Sequence, residues 1–121
     1  MPGKRILLID DEIAIRQFMQ DYFEDRDYQV EIAGDGLEGV EKFEKGEYDL
    51  VLCDMMMPKL LGIEVLRRIK TKKPNQNVIM ITGVKEESMV AKAKQIGCKF
   101  YLNKPFSFSD LEARVSECFQ S

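Results

Sequence analysis

The chain has 121 residues, 45% of them hydrophobic and 32% charged, the balance of one water-soluble domain that can bury a core without disulfide or metal staples. A formal net charge of -3 argues against nucleic acid as a direct partner, because phosphate binding needs a concentrated positive surface, and no run of about 18 apolar residues is present to cross a membrane. Histidine is absent, which excludes histidine acid/base chemistry, phosphotransfer from a histidine of this chain and most zinc sites.

The N-terminal MPGKR runs straight into a short apolar stretch with no signal-peptide core, so a cytoplasmic location is expected. RILLID, residues 5–10, reads as a buried strand ending on acid, with Asp11 and Glu12 directly after it. Ile15, Phe18, Met19, Tyr22 and Phe23 then follow the stripe of an amphipathic helix. QVEIA, residues 29–33, alternates as an edge strand does, and the GDG at 34–36 punctuates it before a helix bearing Leu37, Val40 and Phe43. Gly46 ends that helix, and residues 48–53 form a third strand closed by Asp54. Taken alone, Asp54 reads equally well as a turn cap or as a site residue at a strand end.

Pro58 and Gly62 bracket a loop, and Val65, Leu66 and Ile69 give the next helix its inward face until Pro74 forbids continuation. The basic run RRIKTKK at the end of that helix reads as a solvated face. NVIMIT, residues 77–82, is a fourth strand ending on Thr82, and Met89, Val90, Ala93 and Ile96 mark a helix stopped by Gly97. FYL, residues 100–102, is a short fifth strand followed by Asn103, Lys104 and Pro105. The last helix opens at Ser107 or Ser109 and turns Leu111, Val115, Cys118 and Phe119 inward. Cys53, Cys98 and Cys118 sit within apolar patterns at no metal-ligand spacing and read as reduced core residues of an intracellular protein.

This alternation predicts an α/β fold, a doubly wound five-stranded parallel sheet of order 2-1-3-4-5 with helices on both faces. In that order the first and third strands are neighbours, about 5 Å apart, so Asp10, Asp11 and Asp54 share one crevice. Like charges that close are costly without a cation, and Mg²⁺ suits oxygen donors that leave room for water and phosphate. Thr82 and Lys104 leave the fourth and fifth strands toward the same region. A carboxylate nucleophile, a metal, a hydroxyl and a fixed cation together suit phosphoryl transfer to aspartate.

From Lys4 to Phe119 the chain resembles the response-regulator receiver domains of two-component signalling, whose pattern is an acidic pair, a phosphoacceptor Asp, a Thr or Ser, and Lys-Pro. The resemblance implies phosphorylation of Asp54 by a partner histidine kinase or phosphotransfer protein. It implies Mg²⁺ on Asp10, Asp11, Asp54 and the Met56 backbone carbonyl, with Asp11 the direct ligand and Asp10 acting through water. Thr82 and Lys104 would hold the phosphoryl group, and Tyr101 would be the aromatic switch, altering the surface of the last two helices and the strand between them. A half-exposed strand aromatic is the lesser alternative for Tyr101, since any short strand favours one. A cis Lys104 to Pro105 bond is also implied. Residues 1–121 would form a single receiver domain without an output domain, acting on a downstream protein target or a fused output region, with phosphorylation-dependent dimerisation open.

Leu61 stands where the family often has Asp or Asn before glycine, which weakens the expected cap of the third helix, and Leu60 and Leu61 suit either partner contact or packing over the loop. Met56 and Val84 occupy the positions that tune phosphoryl lifetime, and neither can orient a water, so slow self-dephosphorylation is expected. A flavodoxin-like carrier fails on the acidic run after the first strand. A haloacid-dehalogenase-type phosphatase fails on Met56, where it needs a second carboxylate. The remaining alternative is a receiver-like interaction module that is never phosphorylated.

Overall fold

The structure is a computed structural model that describes residues 3–83 and 86–120. Five strands and five helices alternate along it: β1 (Arg5–Ile9), α1 (Ile13–Glu24), β2 (Gln29–Ala33), α2 (Gly36–Lys45), β3 (Leu50–Asp54), α3 (Gly62–Lys72), β4 (Val78–Thr82), α4 (Glu87–Ile96), β5 (Phe100–Asn103) and α5 (Phe108–Gln120). All pairings are parallel, and the strand order is β2-β1-β3-β4-β5, as the alternation predicts.

The two-residue period of a strand divides each apolar run between two cores. Leu7 and Ile9 of β1, with Val51 and Cys53 of β3, meet Val40, Phe43, Val65, Leu66, Ile69 and Ala93 on the face covered by α2, α3 and α4. Ile6 and Leu8, with Leu50, Leu52, Ile79 and Ile81, meet Met19, Tyr22, Phe23, Leu111, Val115 and Cys118 beneath α1 and α5. Every residue of β3 and of β4 is buried, so these strands read as unbroken apolar runs, whereas β2 at the sheet edge is mostly half-exposed. The three cysteines are buried thiols that form no disulfide among the described residues.

Local signals account for the helix ends. Asp35 accepts from the Glu38 N–H at 2.9 Å to cap α2, and Gly97 ends α4 at a left-handed φ of 111°. Of the two serines proposed to open α5 it is Ser107 that caps, exchanging hydrogen bonds with Asp110 in a capping box. Leu61 precedes α3 without any side-chain cap, and Leu60 packs against the core while Leu61 is exposed. One helix face differs from its sequence pattern. Leu37 is exposed, because the first turn of α2 presents its glycines inward, Gly39 directly against Ile9 of β1, and leaves Leu37 facing solvent while Val40 and Phe43 pack. The third strand also starts later than the pattern suggests, at Leu50, with Tyr48 buried just before it.

Candidate functional site

The sheet register sets the chemistry at its C-terminal edge. Ile9 pairs with Cys53, so the next residues along, Asp10 and Asp54, emerge side by side from β1 and β3. Asp54 pairs with Ile81, and Thr82 pairs with Asn103, so Lys104 leaves β5 one step beyond Thr82. The Lys104 N–H donates to the Thr82 carbonyl at 2.8 Å, which holds the base of that side chain against β4.

Asp10 is fully buried and Asp54 is 5% exposed. One carboxylate oxygen from each of Asp10, Glu12 and Asp54 lies within 4.8 Å of the others. The Lys104 ammonium sits among them, 3.5 Å from Asp10 Oδ2, 3.3 Å from Asp54 Oδ2 and 2.5 Å from Glu12 Oε1. Burial, and then the neighbouring Asp10, push the Asp54 carboxyl up to about 7. Burial likewise raises Asp10, with Glu12 and Asp11 adding to the effect and the Glu12 N–H and Lys104 opposing it. Burial works against the Lys104 ammonium, but its bond to Glu12 and the charges of Asp10 and Asp54 outweigh that and hold it above the ordinary lysine range. One monovalent cation therefore serves three acids.

Asp10 Oδ1 accepts from the Glu12 N–H at 2.9 Å. Its other oxygen, Oδ2, is the buried side-chain polar atom that lacks a hydrogen-bond partner among the described residues. A buried carboxylate oxygen that accepts no hydrogen bond, in an all-oxygen set that shares one ammonium, fits a hard divalent cation.

The structure brings Asp10, Asp54, Thr82 and Lys104 together at adjoining strand ends. Asp11 is exposed at the rim and stands outside the carboxylate cluster, whose third member is Glu12. Glu12 was visible in the sequence as the third acid of a run, but its return toward Asp10 depends on the turn that the Asp10 carboxylate and Glu12 N–H close. Met56 is 46% exposed beside the site, and its backbone hydrogen-bonds Asp54. Tyr101 is half-buried with its hydroxyl donating to the Cys98 carbonyl at 2.9 Å, and its ring rests on the core beneath α4. The Lys104 to Pro105 bond is cis. Val84 lies outside the described residues. Asn103, to which the sequence reading gave no role, accepts the Thr82 hydroxyl at 2.5 Å.

The model of the response regulator receiver domain matches residues 6–116, nearly the whole sheet with its helices. The chain belongs to the receiver domain family. This receiver is 33% identical over 117 residues to sporulation initiation phosphotransferase F of Bacillus subtilis, covering 97% of this chain and 94% of that one. It is 39% identical to the transcriptional regulatory protein ResD of the same organism, where it spans 92% of its own length and only 46% of the relative's. Its backbone superimposes on a CheY-like response regulator receiver domain protein from Methanospirillum hungatei JF-1 with a TM-score of 0.93 at 31% identity, covering 98% of this chain and 94% of that one. The receiver is a module of phosphorelay signalling and not a conventional enzyme. Among the described residues no helix is long and apolar enough to cross a membrane.

Proposed function

We propose that this receiver takes a phosphoryl group on Asp54 from a phosphohistidine of a partner kinase or phosphotransfer protein, and that the acyl phosphate changes the surface around α4, β5 and α5 that a downstream protein or output domain reads. The observation that carries this reading is the Asp54 carboxylate at the tip of β3, 3.3 Å from the Lys104 ammonium and beside a buried Asp10 oxygen that shares that ammonium at 3.5 Å and accepts no hydrogen bond among the described residues. The chain has no histidine, so the donor must come from elsewhere.

An Asp54 carboxylate oxygen attacks phosphorus, the donor N–P bond breaks with its electron pair returning to the imidazole, and an O–P bond forms. Asp54 attacks as the carboxylate, so its own proton must already be gone, and cations around it favour that state. The Lys104 ammonium balances charge on one phosphoryl oxygen, and the Thr82 hydroxyl donates to another. Asp10, Asp11, Asp54 and the Met56 carbonyl would hold Mg²⁺, with Glu12 a further carboxylate in reach. A magnesium ion bound there neutralises the crowded acids and draws charge from the phosphoryl oxygens. Tyr101 follows Thr82 as the aromatic that reports the change to the α4 face. The partner meets the receiver in the cytoplasm.

Incubation with Mg²⁺ and acetyl phosphate should add one phosphoryl group by intact mass, and Asp54→Asn should abolish it. A phosphoryl group retained by the Asn variant would place the acceptor elsewhere. No addition to the parent, despite binding of Mg²⁺, would favour the interaction module that works without phosphorylation.

A further inference from the structure

Thr82 is 2% exposed, and its hydroxyl has a single proton to donate. That proton goes to Asn103 Oδ1, across the β4 and β5 pair in which the two residues face one another. We propose that Asn103 is a positioning residue that holds the Thr82 hydroxyl in the resting arrangement, so that breaking this bond is part of the free energy of the switch. The proposal rests on the reading of Asp54 as the phosphoacceptor.

One proton cannot serve Asn103 and a phosphoryl oxygen at once, so engagement of Thr82 with the phosphoryl group requires release from Asn103. The Lys104 N–H to Thr82 carbonyl bond keeps β4 and β5 in register, and the Thr82 hydroxyl is freed from Asn103 by rotation about its own side-chain bond. Release is also reversible. Asn103 is exposed, so its freed amide oxygen turns to water and no acceptor is stranded. Both side chains line a cavity of about 600 Å³ between β5 and α4, bounded further by Gly83, Glu86, Val90 and Lys104, which leaves the amide room to turn. The latch therefore opposes the switch by the modest net worth of one partly buried hydrogen bond.

The test uses beryllofluoride with Mg²⁺ as a phosphoryl mimic, its binding followed through the amide resonances of Thr82 and Gly83. Asn103→Ala should bind the mimic about twofold to tenfold more tightly than the parent, the factor that loss of one such bond supplies. The free variant's Thr82 resonance should already lie toward its mimic-bound position. Asn103→Asp, which keeps an acceptor, should show no such gain. In a Thr82→Ala background, Asn103→Ala should have no further effect, because the coupling between the two residues is the bond itself. Equal binding by the parent and Asn103→Ala would overturn the proposal, as would a gain that persists without Thr82. A parent that binds no mimic would instead overturn the Asp54 reading, and the proposal with it.

Discussion

The two halves of the C-terminal edge are built differently. On the β1 and β3 side, α3 buries Gly62, Ile63, Val65, Leu66 and Ile69, and Gly62 donates to the Met55 carbonyl at 2.9 Å, so the loop carrying Met56 is tied down behind the acids. On the β4 and β5 side, α4 buries Ala93 alone, and the Gly83 N–H is held by a Glu86 side chain at 2.8 Å. The charged, metal-suited half is thus backed by a well-buried helix, whereas beside the buried β4 the helix α4 packs lightly and the Thr82 and Tyr101 hydroxyls are held by exchangeable hydrogen bonds. Elements with few buried apolar contacts rearrange at low free energy. The proposed function calls for both, with the acids staying in place while the hydroxyl and the helix beside it respond.

Two glycines probe this difference most sharply. A Cβ on Gly62 would collide with the Asp54 carbonyl oxygen and lie 2.7 Å from Met55 Cα, where only backbone can yield. Gly62→Ala should destabilise the protein by about 3 kcal/mol, roughly 10 °C in Tm for a domain of this size by thermal melting. Among the described residues, a Cβ on Gly83 would meet just the end of the Glu86 side chain, at 3.2 Å. Gly83→Ala should change stability by less than about 0.5 kcal/mol. Equal effects at the two positions would remove the contrast.

The acidic half should also carry the pH dependence. Asp54 titrates near 7 in the folded protein, above the usual carboxylate range, so the folded state holds a proton that the unfolded state has lost. Without divalent cations, stability should therefore fall as pH rises from about 4 to about 7, and level off above that. Asp54→Asn should flatten this slope and, at pH 8 in EDTA, raise Tm by roughly 4 °C or more. Added Mg²⁺ should raise the parent's Tm more at pH 8 than at pH 5.5, because binding must displace protons from the acids. A Tm that rises between pH 4 and 7 in EDTA, with Asp54→Asn following it, would show that the acids are not under strain.

The smallest expected effect concerns phosphoryl lifetime. The Met56 thioether beside the site cannot orient a water by hydrogen bonding, so the Asp54 phosphate should decay slowly. A Met56→Asn, Val84→Glu variant should lose phosphate several-fold faster by intact mass over time, and an unchanged decay would discard that role for the pair.

Much of this molecule follows from local pattern. The apolar runs ending at Asp10, Asp54 and Thr82, the helical stripes between them and the alternation itself determined the fold, because burial on both faces of a parallel strand and on one face of a helix leaves a periodic trace in the chain. That acids from β1 and β3 would meet followed from strand order, and Lys104 from its place after β5. Which third carboxylate joins them did not. Asp11 and Glu12 are consecutive acids of similar chemistry, and only the turn closed between Asp10 Oδ1 and the Glu12 N–H places Glu12 on Lys104 and leaves Asp11 at the rim. The bond from Thr82 to Asn103 was likewise invisible, since the two are 21 positions apart and meet only through the register of β4 with β5. Periodicity records which side of an element is buried, and cross-strand register and turn geometry decide which neighbours each exposed end acquires.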